Sequence, residues 1–177
     1  MSNTARRILL IGGPGSGKTT LVEQLEKNGH QVHHEVSREI IVRAQQQGIS
    51  QLFLSHPKEF SDQVLQGRIE QFNKATAGVH IYDRGIPDVP AYHLFAKEEI
   101  PKEYLEACQQ YRYDLVLHLP PWKEIYATDT ERYESFEQSV EISSILTRFY
   151  QKIGYVVTDV PTGSIAERIT FIQQYLK

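Results

Sequence analysis

The run RILLIGGPGSGKTT, residues 7–20, constrains the chain more than any other stretch. Its first half is an apolar segment that reads as a buried strand. Its second half fits the pattern G-x-x-x-x-G-K-[ST], with Gly12, Gly17, Lys18 and Thr19 in the fixed places and a helical segment following. Glycines let the backbone amides point inward at phosphates, and the dipole of the following helix adds partial positive charge there. Gly12, Gly13, Pro14, Gly15, Ser16, Gly17, Lys18, Thr19 and Thr20 are therefore expected to cradle a chain of phosphates. In such a loop the lysine, Lys18, reaches the β and γ phosphates, and the Thr19 hydroxyl holds Mg²⁺.

Five short runs read as strands: 7–13, 31–36, 79–84, 115–120 and 155–160. Each is followed by a helical or loop segment, and strands alternating with helices imply parallel βαβ units. The predicted fold class is α/β, a three-layer sandwich around a five-stranded parallel sheet. Helix starts are written in capping chemistry, with SFEQ at 135–138 and SIAE at 164–167 as capping boxes. After the first box, Ile142, Leu146, Phe149 and Ile153 recur at helical spacing and should face the sheet. Gly154 closes that helix and Asn28 with Gly29 closes the first, while a long polar helix is expected over 57–77.

A chain of 177 residues suits one domain, taken as 1–177. The net charge of -3 disfavours a nucleic-acid partner, because neutralising a phosphate backbone takes a surplus of Lys and Arg. A single cysteine, Cys108, excludes an internal disulfide and fits a reducing, cytoplasmic setting. No segment reads as a leader or a membrane span, so no membrane partner is expected.

A metal held at a phosphate cradle needs a carboxylate at the end of a neighbouring apolar strand. VHIYDRG, residues 79–85, offers Asp83, on the strand face of Val79 and Ile81; the alternative is a turn or capping Asp. Arg84 points the other way and needs an anionic partner, either substrate or a structural carboxylate.

With these motifs in place, the chain resembles the kinase branch of the P-loop NTPases. DRGIPDVPAYH is similar to the segment of thymidylate kinases in which Asp-Arg is followed by Ala-Tyr, here Asp83, Arg84, Ala91 and Tyr92. The order of P-loop, HHEVSREII, YDRG and FYQKIGYVVTDVP looks still more like a family of small predicted ATPases of the AAA type, which includes relatives of ribosylnicotinamide kinase. The resemblance implies sheet order 2-3-1-4-5. It also implies that Arg84 holds an acceptor's phosphate, and that the segment containing Tyr92 lines the acceptor site. Glu35, at the end of the second strand, would orient or deprotonate an acceptor hydroxyl; the alternative is an ion pair with Arg38 or Arg43.

Two features depart from the kinase pattern. Asp88 stands where thymidylate kinases tend to carry Ser, and it would repel a nucleotide monophosphate unless it binds metal or a hydroxyl. The expected lid, residues 123–137, holds five acidic and two basic residues, and Arg132 is its one arginine for the transferring phosphate.

His33 and His34 adjoin Glu35, but successive strand residues face opposite sides of the sheet and cannot converge on one ion. His118, inside an apolar strand, reads as a hydrogen-bonded core histidine more than a base. Trp122 and Tyr126 could stack on an adenine or simply pack. NKAT at 73–76 is not a guanine-reading Asn-Lys-x-Asp after a strand.

The expectation is thus an ATP- and Mg²⁺-binding phosphotransferase acting on a small molecule such as a nucleoside, nucleotide or cofactor precursor. Its expected catalytic residues are Lys18, Glu35, Asp83 and Arg132, with Glu35, Arg84, Asp88 and Tyr92 toward the acceptor and Thr19 and Asp83 at the metal. The alternative is an ATPase or nucleotide-dependent regulator with no small-molecule acceptor.

Overall fold

The computed structural model describes residues 4–126 and 134–176. Along the chain run β1 (Ala5–Ile11), α1 (Lys18–Lys27), β2 (Gln31–His33), α2 (Val36–Gln46), α3 (Leu52–Ser55), α4 (Pro57–Lys74) and β3 (Gly78–Asp83). There follow α5 (Asp88–Ala96), α6 (Lys102–Gln110), β4 (Leu115–His118), a 3₁₀ turn at Lys123–Ile125, α7 (Phe136–Lys152), β5 (Val157–Asp159) and α8 (Ile165–Gln173). The strands form one parallel sheet in the order β2-β3-β1-β4-β5, the order that the kinase resemblance implies.

Alternation along β1 explains the two layers of core. Ile8 and Leu10 face α1 and α8, packing with Leu21, Val22, Leu25, Ile169 and Ile172. Leu9 and Ile11 face the other way, into a larger core with Ile40, Val64, Tyr104, Leu146 and Tyr150. A strand covered by helices on both sides has no polar face to show, which is why β1 is apolar at every position from Ile8 to Ile11.

Both capping boxes form, at Ser135 with Gln138 and at Ser164 with Glu167. Every strand and the long helix differ from the sequence expectation by one to three residues at an end, and in two of them another group takes the backbone. β2 stops at His33, since the His34 carbonyl accepts from Gln71 Nε2 at 2.8 Å and Glu35 becomes the N-cap of α2. Glu35 therefore sits two residues past the strand. Helix α4 ends at Lys74, where Arg7 of β1 donates to the Phe72 and Ala75 carbonyls and so caps the helix from the sheet.

The strands all end at one edge of the sheet. Asp83 pairs with Leu10 and His118 with Ile11, so β1 delivers the glycine loop between the ends of β3 and β4. Ligands of open α/β sheets bind at this carboxyl edge. Among the described residues, no helix is long and apolar enough to cross a membrane.

Candidate functional site

The glycine loop is held by close backbone contact. Gly12 has φ 154°, and a Cβ there would lie 2.6 Å from the Leu119 carbonyl oxygen, so only glycine fits. Gly17 takes the left-handed conformation, φ 81°, as the N-cap from which α1 starts. Two distant side chains fasten the loop: Ser139 of α7 donates its hydroxyl to the Pro14 carbonyl at 2.6 Å, and Arg168 of α8 donates Nη2 to the Ser16 carbonyl at 3.0 Å.

Lys18 is buried, and its Nζ donates to the carbonyls of Gly12 and Gly13, both at 2.9 Å, and to Ser16 Oγ at 3.2 Å. These bonds fold the side chain back over the loop. Burial, then the Arg84 charge, lowers its pKa to about 7 against the pull of Asp83, Glu35 and Asp88. A bound polyphosphate would supply the missing negative charge and restore the full ammonium.

Beside the loop lies a second charged cluster. Arg84 directly follows β3 with φ 70°, a left-handed conformation that costs a non-glycine residue on the order of 1–3 kcal/mol. Its partners fix that geometry: the backbone N–H donates to the Leu10 carbonyl at 3.1 Å, Nε to Glu35 Oε2 at 2.9 Å, and Nη1 to Asp88 Oδ1 at 3.3 Å. The guanidinium also lies over the Tyr92 ring, 5.3 Å from its centroid. Asp88 accepts on Oδ2 from the Gly85 N–H at 3.0 Å and from Tyr150 O–H at 2.6 Å. Glu35 Oε1 accepts from Ser37 Oγ at 2.6 Å and from Arg68 Nη2 at 3.5 Å, while Arg68 Nη1 donates to the Gly85 carbonyl at 2.8 Å. Burial alone would raise the Glu35 pKa, but Arg84 and Arg68 outweigh it and hold the carboxyl at about 2. Its ion-pair partners are these two arginines, not Arg38 or Arg43.

Asp83, on the last residue of β3, is buried, and its Oδ1 has no hydrogen-bond partner. Burial and the Glu35 charge raise its pKa to about 6. An uncompensated carboxylate oxygen beside a phosphate-type loop can take a hydrated divalent cation, whose charge would reverse that shift.

The histidines occupy other places. His80 Nε2 donates to the Ala77 carbonyl at 2.9 Å, and its Nδ1 lies 3.1 Å from His33 Nε2. His33 stacks on Tyr82 with centroids 4.2 Å apart, and His34 reaches Glu26 at 3.0 Å. Among the described residues, no group of three or more His, Cys, Asp or Glu side chains could hold a metal ion. His118 lies within 2.7 Å of both Asp159 Oδ1 and Ser143 Oγ and is buried in the sheet. Tyr126 packs edge-on against Phe136 and donates to the Glu134 carbonyl. Arg132, the expected lid arginine, falls in 127–133, outside the described residues.

Arg68, Tyr150 and Ser139 belong to the site without having been singled out in the sequence. Arg68 lies on a helix that reads as polar throughout, and no local pattern marks it. Ser139 and Tyr150 were findable, because they continue the stripe of Ile142 and Leu146 on α7, and a polar group on a buried face needs a partner.

No protein with a curated description matches the sequence. Among solved structures, the fold is similar to deoxyadenosine kinase from M. mycoides with products dCMP and dCDP bound, at TM-score 0.70 and 17% identity, over 96% of this chain and 98% of that one. It is similar to NadR protein in complex with NR, at TM-score 0.73 and 18% identity, over 97% of this chain but 52% of that one. Thymidylate kinase from Ehrlichia chaffeensis matches at TM-score 0.64 and 14% identity, over 98% of this chain and 100% of that one. The family described as an AAA domain matches residues 7–168, from the first strand to the arginine on α8 that holds the phosphate loop, and the chain belongs to that family.

Proposed function

We propose that this protein is an ATP- and Mg²⁺-dependent phosphotransferase that moves the γ-phosphoryl group to a hydroxyl of a small molecule. Residues 12–20 hold the phosphates, and Lys18 turns from the loop carbonyls to the β and γ phosphates. The buried, unpartnered Oδ1 of Asp83 and the Thr19 hydroxyl are hard oxygen donors that suit Mg²⁺, and these two residues would hold it. When bound, the ion neutralises charge on the β and γ oxygens.

The observation that carries this reading is the buried ion-pair cluster of Glu35, Arg68, Arg84 and Asp88, from which Arg84, Glu35 and Asp88 act on Lys18, and Glu35 and Arg84 on Asp83. Hydrolysis needs a water and has no use for a second buried charged site; transfer to an acceptor does. The acceptor oxygen bonds to the γ phosphorus as the bond from that phosphorus to the β–γ bridging oxygen breaks, and ADP departs with the electron pair. The acceptor's proton is hydrogen-bonded to Glu35 and leaves late, when bonding to phosphorus has made it acidic, passing to the Glu35 carboxylate and from there to solvent. A carboxylate held at about 2 is a poor base for early abstraction, so Glu35 acts chiefly by orienting the hydroxyl. Asp88, its side chain 1% exposed and bonded to Arg84, Gly85 and Tyr150, positions Arg84 and does not touch the acceptor.

The rival reading is an ATPase or nucleotide-dependent regulator, favoured by the acidic surplus of residues 123–137. Calorimetry with ATP and the non-transferring analogue AMP-PNP, with and without Mg²⁺, tests the nucleotide half. Binding that depends on Mg²⁺ in the wild type and loses that dependence in Asp83→Asn supports the assignment; binding indifferent to both removes it.

A further inference from the structure

The hydrogen-bond valences of the Glu35–Arg84 cluster limit what an acceptor can be. An ionised carboxylate offers about four lone-pair sites. Three of those on Glu35 are taken, by Ser37, Arg68 and Arg84. One site on Oε2 is left, and the Glu35 side chain keeps 11% of its surface exposed whereas Asp88 keeps 1%. The group left open on this carboxylate is an acceptor, which calls for a ligand that donates.

The charges are also closed. Arg68 and Arg84 stand against Glu35 and Asp88, two cations to two carboxylates, all largely buried, with Lys18 and Asp83 left for the nucleotide and its metal. Arg84, the side chain that holds an acceptor's phosphate in the thymidylate-kinase pattern, already binds two carboxylates. A phosphate dianion brought to it would meet Glu35 and Asp88 at close range in a buried site, where like-charge repulsion is costly. The Arg84 charge also acts on Lys18, on the side of the transferring phosphoryl group.

Resting on the phosphotransferase reading above, we infer that the acceptor is a hydroxyl compound without a phosphate group, one that donates its reacting hydroxyl to Glu35 Oε2, and not a nucleoside monophosphate. Arg38, in the first turn of α2, is exposed, and its charge reaches Asp83. A phosphate held by that side chain alone would be paired in water, where such contacts contribute little.

The test is a panel of nucleosides, each beside its 5′-monophosphate, offered to the full chain with Mg²⁺ and ATP. Phosphorylated product is read by mass and ligand binding by thermal stabilisation. The inference expects at least one nucleoside to give product, with kcat/KM about 10⁴-fold above that of its monophosphate, the scale on which a site built to hydrogen-bond a hydroxyl rejects a compound that lacks it. Arg38→Ala should leave that ratio unchanged. Glu35→Gln, which removes one carboxylate and leaves Arg84 with a charge to spare, should narrow the ratio by losing nucleoside and gaining monophosphate stabilisation. A monophosphate phosphorylated better than its nucleoside overturns the acceptor class and leaves the phosphotransferase reading standing. Product from neither, with ATP hydrolysed at the same rate throughout, overturns both.

Discussion

Arg84 donates Nε to Glu35 Oε2 at 2.9 Å, joining the residue after β3 to the N-cap of α2 across 49 residues of chain. The bond holds a guanidinium in a left-handed backbone conformation beside the phosphate loop, and Asp88 and Tyr150 lock its other end. Strain of this kind persists only where the surroundings over-determine it.

Tyr150→Phe tests that lock. It removes one donor from a buried carboxylate oxygen while keeping the ring, so unfolding free energy should drop by about 1–3 kcal/mol. Urea denaturation measures it. A loss under a few tenths would mean Tyr150 merely packs, and acceptor turnover should fall with Arg84 less firmly placed.

Lys18→Met keeps much of the buried side chain and removes the charge. Loss of charge-assisted bonds worth about 1.5–3 kcal/mol should weaken ATP binding by about 10- to 100-fold. Midpoint temperature without ligand should change little, because the ammonium is desolvated and its pKa lowered in the free protein. Unchanged ATP affinity by calorimetry would remove Lys18 from the phosphate site.

Ser139→Ala cuts the hydrogen bond from α7 to the Pro14 carbonyl. At a net value of about 1 kcal/mol, the looser loop should bind ATP about 5-fold more weakly, with magnesium dependence intact. Titration calorimetry at fixed Mg²⁺ checks it.

Acid should destabilise the fold in two windows. Burial lowers the His33 pKa to about 4 from an ordinary 6.5, so the unfolded chain binds the extra proton and stability is lost as pH falls from about 6.5 to 4. Glu35, held at about 2 against an ordinary 4.5, contributes stability that is present above 4.5 and is lost from there down to about 2. Asp83, raised to about 6 from an ordinary 3.8, gains stability as pH falls between those values and offsets His33 there, so the midpoint temperature should fall most steeply below about 4. His33→Phe should remove the His33 loss from the upper window and leave the lower one, as melts at half-unit pH steps would reveal.

The fold was legible because its signals are local and repeated: an apolar strand, a glycine loop and capping boxes that form at Ser135 and Ser164. The phosphate loop was legible for the same reason. Element ends were less so, since a cap such as Arg7 on α4 comes from 65 residues away and leaves no local trace. The second cluster was half visible. Glu35, Arg84 and Asp88 stand out as charged residues at turns, but which carboxylate meets which guanidinium depends on the packing of α2, α4 and α7 around β3. Arg68 carries no mark in the sequence at all.

The central claim is that the γ-phosphoryl group goes to an acceptor. Incubating the protein with Mg²⁺, ATP labelled at the γ phosphate and the nucleoside panel, then separating labelled esters from inorganic phosphate, tests it most directly. The predicted result is label in a nucleoside ester, appearing at the rate at which ADP forms and lost in Glu35→Gln. Label recovered only as inorganic phosphate, at a rate that no acceptor alters, would contradict it.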